Sequence, residues 1–303
     1  SMGAALADFD SDNKDEIIIA TEDNDMICMI DDSMEIDTLF IADNKFKASP
    51  SIIDLNGQKI IMVGSYDDSF YAMNIQGELI FELEMEDDIV SSPSFFSNNA
   101  NLIVVFSTDD GYLHAIYENG VALNGWPILF DSPPGDASFA DLNGDGSVEI
   151  VFGVGNAIYA IGLDGTSYNN IHFPVYTEFP TQSAPIVADL DSDLDLEIVI
   201  GTSVNVEAID ILDQNGSAIG FWNMYRANNA RTGFFEAIIE GVDIQLGDVN
   251  FDNTIDIFDI IIVVNIVIQE TTPNNDELLA ADVNEDGSVD VFDIITLVNL
   301  ILG

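Results

Sequence analysis

Five acidic loops carry the chemistry that this sequence could perform. Two lie near the C-terminus and share one pattern, with side-chain oxygens at positions 1, 3, 5, 9 and 12 of a twelve-residue stretch. The first is Asp248, Asn250, Asp252, Asp256 and Asp259, and the second is Asp282, Asn284, Asp286, Asp290 and Asp293. The main-chain carbonyl of position 7, Thr254 or Ser288, would add one more oxygen to each. Three further loops repeat acids at positions 1, 3, 5 and 9: Asp8, Asp10, Asp12 and Glu16; Asp141, Asn143, Asp145 and Glu149; Asp189, Asp191, Asp193 and Glu197. Alternating acids on a tight loop aim several oxygens at one centre. That donor set suits Ca2+, which takes 6–8 oxygens flexibly, better than magnesium with its strict octahedron. The plainer reading is that Asp and Gly favour solvated turns. Gly146 suits a left-handed turn and Asn13 tolerates one, whereas Leu194 is strained there, which makes the loop at Asp189 the weakest of its three.

The charge balance agrees with a need for cations. Six Lys and Arg stand against 55 Asp and Glu, a formal charge of −49. Such a polyanion repels nucleic acid and anionic membranes, so neither is an expected partner, and its self-repulsion works against a compact fold unless cations bind. No apolar run approaches the length of a membrane span. Cys28 is the only cysteine and is expected to be a small buried hydrophobe; with no intrachain disulfide possible, metal is the expected staple. Ser1-Met2-Gly3 reads as an expression scar, so any signal peptide is lost from view; the chain begins almost at its first acidic loop, which fits the C-terminal piece of a longer protein with blades missing, and the expected localisation is secreted or cell surface.

These loops need elements to hold them. Each of the three N-terminal ones opens a β-branched run: Ile17-Ile18-Ile19, Ile150-Val151-Phe152 and Ile198-Val199-Ile200. Pro50-Ser51-Ile52-Ile53 and Pro93-Ser94-Phe95-Phe96 begin two similar units whose loops have lost the acids, so packing alone must hold them. Second strand-like stretches follow, such as Tyr112-Leu113-His114-Ala115-Ile116, then turns such as Glu118-Asn119-Gly120. The spacing predicts a mostly β fold of β-propeller-type repeats, about five blades at 4–49, 50–92, 93–136, 137–184 and 185–236.

The loop pattern before a strand resembles the FG-GAP/VCBS family of propeller repeats. Phe221-Trp222-Asn223-Met224-Tyr225-Arg226, with Arg231-Thr232-Gly233, is similar to a segment that closes such repeat regions in secreted bacterial proteins; Arg226 and Arg231 are expected to anchor the last repeat by ion pairs. The metal ions are expected as structural clips rather than catalytic centres.

Residues 243–303 form a separate small α unit in this reading. Each C-terminal loop is of EF-hand type and leads into one helix, but position 12 is Asp rather than Glu and no entering helix is evident. That duplicated combination resembles a type I dockerin. The resemblance implies docking to a cohesin-like protein, with loop positions 10 and 11, Ile257-Phe258 and Val291-Phe292, as candidate partner-binding residues. An apolar pair there fits either a particular cohesin class or packing onto the chain's own propeller surface. Residues 257–268 are apolar nearly all round, whereas 290–302 keep a polar stripe at Asp293, Thr296 and Asn299.

Catalytic motifs are missing. His114 and His172 are expected as packed or surface residues, and no nucleophile elbow, zinc-protease helix or P-loop occurs. The expectation is an extracellular module for assembly, adhesion or anchoring that is not an enzyme. The alternatives are a secreted polysaccharide-active enzyme, which would want paired acids and aromatic platforms such as Trp126 or Trp222 for a glycan, and a non-catalytic piece of a larger secreted hydrolase or protease.

Overall fold

In a computed structural model of the chain, the described residues are 3–97, 101–168, 173–181, 183–193, 195–212, 215–237, 246–250, 254–268, 273, 278, 280–284 and 288–302. His172, Leu194, Asp252, Asn253, Asp286 and Gly287 lie outside them. The chain divides into two compact units, Ser1–Ile239 and Glu240–Gly303.

The first unit is a β-propeller-type array of antiparallel sheets. Strands β1 (Ala5–Ala7), β2 (Glu16–Ala20), β3 (Met26–Ile30) and β4 (Ile36–Ile41) make the first sheet, in chain order. The next repeat supplies β5 (Ser51–Leu55), β6 (Gln58–Gly64), β7 (Ser69–Met73) and β8 (Leu79–Glu84). Strands β9 (Ser94–Ser97), β10 (Leu102–Ser107), β11 (Tyr112–Tyr117) and β12 (Ile128–Leu129) form the third sheet. The fourth holds β13 (Ser138–Ala140), β14 (Glu149–Val154), β15 (Ala157–Gly162) and β16 (Val175–Tyr176), and the fifth β17 (Ile186–Ala188), β18 (Glu197–Gly201) and β19 (Val206–Asp210). The final strand, β20 (Phe234–Ala237), returns to the second sheet and pairs parallel with β5, Phe234 opposite Ile52.

Strands are where the β-branched runs fall, and their burial explains why. The second strands β10 and β14 are buried along their whole length, packed on both faces by neighbouring sheets. One core cluster spans the second to fourth sheets through Phe70, Phe95, Phe106, Phe139 and Phe152. Phe70 and Phe106 stack with centroids 4.2 Å apart. Serines at the starts of first strands stitch successive sheets: Ser51 Oγ donates to Pro93 O at 2.7 Å and Ser138 Oγ to Pro185 O at 2.6 Å. Both Trp126 and Trp222 belong to this core, 8% and 2% exposed. Trp126 Nε1 donates to Leu163 O, and Trp222 lies edge-on to Phe95. They therefore do not offer the aromatic platforms that the alternative glycan-active reading would want: their apolar area is worth more inside the core than on the surface.

The segment from Phe221 to Ala237 touches the first strand of every sheet. Thr232 O accepts from Leu6 N, Gly233 O from Ile52 N, Trp222 O from Phe139 N and Asn223 O from Val187 N, all at 2.8–2.9 Å. Phe221 stacks on Phe96 of β9. Arg226 is 2% exposed and spans the first two sheets, donating to Pro50 O at 2.6 Å and Ala4 O at 2.5 Å. The expected ion pairs are not what anchor it: Arg226 works through main-chain carbonyls, and among the described residues the ion pairs all involve lysines. Gly233, at φ +63°, has no room for a Cβ, which would lie 2.0 Å from the Arg226 guanidinium.

In the second unit, α1 (Ile257–Val267) and α2 (Val291–Leu302) pack around Val249, Val263, Ile266, Ala280, Ala281 and Leu297. Helix α1 starts at a capping box, Asp256 accepting from Phe258 N and Asp259 from Asp256 N. Leu278, Ala280 and Ala281 are helical, so a short helical stretch does enter the second loop.

Candidate metal centres

The three repeat loops share one hydrogen-bond plan. The glutamate at position 9 is the first residue of a second strand and is buried: Glu16, Glu149 and Glu197 are 5%, 5% and 9% exposed. Its Oε2 accepts from the main chain at position 2, from Phe9 N at 2.8 Å, Leu142 N at 2.8 Å and Leu190 N at 2.6 Å. The aspartate at position 1 accepts from inside the loop. Asp8 takes Ser11 N, Asp12 N and Asn13 N; Asp141 takes Gly144 N, Asp145 N and Gly146 N; Asp189 takes Ser192 N. This plan needs left-handed backbone at position 4 as well as position 6. Ser11, Gly144 and Ser192 take φ of +66°, +72° and +68°, while Asn13 and Gly146 take +68° and +88°. Position 4 was not foreseen, because serine carries no signal for that conformation.

Carboxylate oxygens of Asp8, Asp10 and Glu16 lie within 4.8 Å of one another, as do those of Asp189, Asp191 and Glu197. The spacing anticipates Asp12 and Asp193 in these groups as well, whereas the structure brings together positions 1, 3 and 9. Asp12 turns elsewhere, onto Lys14 Nζ at 2.9 Å, and that ammonium holds the Asp12 carboxyl below its ordinary range. In the fourth repeat Asn143 Nδ2 donates to Asp145 Oδ2 at 3.1 Å, and Asp145 is likewise held low, chiefly by Ser147 N. Two further triads were not anticipated. Asp68, Asp87 and Asp88 meet from separate turns, so no spacing marks them. Asp193, Asp195 and Glu197 meet in the fifth repeat, where the loop pattern assigns no side-chain ligand to position 7. Burial and neighbouring acids push Asp195 up to about 6.

The C-terminal loops are wired through position 12. Asp259 and Asp293 are fully buried. Asp259 Oδ1 accepts from Val249 N at 2.8 Å and Asn250 N at 3.2 Å, and Oδ2 from Asp256 N at 2.8 Å. Asp293 repeats this with Asn284 N at 3.1 Å and Asp290 N at 2.8 Å. Each carboxylate thus pulls the start of its loop against the helix that follows. Asp248 is buried at position 1 of the first loop, and Asn250, Thr254, Asp282, Asn284 and Ser288 each have an interaction partner. Asp252 and Asp286 fall outside the described residues. Beside the loops, Ile257 and Phe258 are 63% and 61% exposed, Val291 and Phe292 53% and 61%. Ile261 and Ile295, one turn further on, extend the same apolar strip on each helix.

His114 is packed in the third sheet, its Nε2 3.2 Å from Thr108 Oγ1. Its ring stacks on Phe106, centroids 5.0 Å apart, and burial pulls its pKa down to about 4.

Residues 246–302 match the dockerin type I domain. No curated protein matches the chain. Among solved structures, the chain is similar to BBS1N in complex with ARL6DN. The mercury-soaked crystal gives a TM-score of 0.53 at 9% identity, covering 72% of this chain and 68% of that one. The lead-soaked crystal gives 0.52 at 10%, covering 70% and 66%. The WD40 beta propeller domain of Doa1 aligns with a TM-score of 0.45 at 10% identity, over 70% of this chain and 66% of that one. At these identities the likeness is one of fold. The dockerin match points to calcium-dependent protein–protein assembly for residues 246–302, and the likeness of the first unit to solved structures shows its fold alone.

Proposed function

We propose that this chain is a non-catalytic, secreted or cell-surface module. Its dockerin domain, ordered by two calcium ions, docks a cohesin-like partner, and its FG-GAP/VCBS-type repeats are clipped by calcium at the loops of Asp8, Asp141 and Asp189. The observation that carries this reading is the duplicated apolar pair. Ile257-Phe258 and Val291-Phe292 occupy the same two loop positions, directly after the N-capping aspartates, and all four side chains are more than half exposed. Large exposed apolar residues in matched places on two helices mark a docking surface. Calcium would hold that surface in shape, because loop positions 10 and 11 carry the pairs and position 12 is the buried carboxylate. Among the described residues, no helix is long and apolar enough to cross a membrane.

The test is surface plasmon resonance of the whole chain over immobilised cohesin modules of several classes, with calcium and then with EDTA. Binding to at least one class should appear only with calcium, and Phe258→Ala combined with Phe292→Ala should weaken it at least tenfold. Equal binding in EDTA, or no effect of the double substitution, would refute the docking surface.

A further inference from the structure

The fifth repeat holds one carboxylate more than its loop plan uses. Position 7 is Lys14 in the first loop, Ser147 in the fourth and Asp195 in the fifth. Asp195 is only 6% exposed, and its Oδ1 is buried with no hydrogen-bond partner. Everything charged around it is negative. Oxygens of Asp193, Asp195 and Glu197 lie within 4.8 Å of one another, and Glu197 stands directly opposite Asp210 in the β18–β19 register. In the fourth sheet the residue opposite the matching glutamate, Glu149, is Gly162. Like charges facing each other across a strand pair, with one carboxylate buried and unpaired, are unfavourable unless something positive lies between them.

The first repeat shows what that positive group can be. Lys14 sends its ammonium back to Asp12, the counterpart of Asp193, at 2.9 Å, and to Asp32 at 2.5 Å. Positive charge is built into the chain there. The fifth repeat has exchanged the lysine for an acid, so the charge must come from solution. Three clustered carboxylates offer hard oxygen donors, the chemistry of a divalent cation such as calcium.

We propose that Asp193, Asp195 and Glu197 bind a second divalent cation in the fifth repeat, beside the one assigned to Asp189 and Asp191, with Glu197 shared between them. This rests on the reading of the repeat loops as calcium sites. The fifth loop is then the most cation-rich of the repeats, not the weakest.

Bound calcium on the full chain, counted by native mass spectrometry after desalting from calcium, tests this. Asp195→Asn should bind one ion fewer than the parent and keep the rest, whereas Asp191→Asn should disturb the neighbouring site. In EDTA, Asp195→Asn should melt no lower than the parent, because it removes repulsion; in calcium it should melt lower. An unchanged ion count in Asp195→Asn overturns the second site and leaves the loop reading intact, as it would if a proton shared between Asp193 and Asp195 did the neutralising. A parent that binds calcium at the dockerin loops alone overturns both.

Discussion

Replacing Arg226 with methionine should loosen the whole repeat unit, although Arg226 belongs to no acidic loop. Its guanidinium reaches Pro50 O and Ala4 O, ahead of β5 and β1, from a segment that also bonds to β13 and β17. Methionine keeps most of the stem volume and removes both donors. Two buried carbonyls then lose their partner, at about 1–3 kcal/mol each. No longer burying a cation offsets part of this, so the net loss is expected near ~2–4 kcal/mol. For a unit of this size, 1 kcal/mol moves the melting temperature by about 2–4 °C, which puts the drop at roughly 4–16 °C. Differential scanning calorimetry in saturating calcium reads this with every ion site held constant. Gly233→Ala is the companion, since its Cβ would collide with the same guanidinium and should also lower the transition. A drop below about 2 °C for Arg226→Met would show that packing of Phe221, Trp222 and Phe235, and not the arginine's hydrogen bonds, unites the sheets.

Two further outcomes follow from one partly buried and two fully buried carboxylates. Asp136 accepts from Ser92 N at 2.6 Å and is pushed up to about 6 by burial, against the pull of Arg226. The folded state therefore holds this proton more tightly than the unfolded chain, whose value is the ordinary 3.8, and stability from this group falls as pH rises through about 6. Asp136→Asn should raise the melting temperature at neutral pH, and the gain should vanish near pH 4; an equal gain at both would refute the assignment. Chelation should reduce the helical circular dichroism of α1 and α2, because the fully buried Asp259 and Asp293 would lose their cations; each ion contributes about 2.7 kcal/mol at a hundredfold excess over its Kd. Calcium should restore the signal in the parent and only partly in Asp293→Ala, and a spectrum indifferent to EDTA would count against calcium-ordered helices.

What could be read from the sequence was what is settled within a dozen residues. In the first and fifth repeat loops the carboxylates at positions 1, 3 and 9 face one centre, whereas position 5 goes to a different partner. Hence Asp8, Asp10 and Glu16 meet as their spacing anticipates, and the duplicated C-terminal pattern pointed to a dockerin on its own. β-Branched runs after each loop likewise announced strands, because alternation and turns are local. Tertiary structure decided the rest. The partners of Arg226 lie 176 and 222 residues away, so no window of sequence could supply them. Trp126 and Trp222 looked available to a ligand until the sheets closed over them. Asp195 stood outside the ligand pattern of its loop until its side chain proved to be enclosed with Asp193 and Glu197. Local spacing determines which oxygens share a loop, but burial depends on which distant strands converge, and burial is what turns a carboxylate, an arginine or a tryptophan from a solvated group into a structural one.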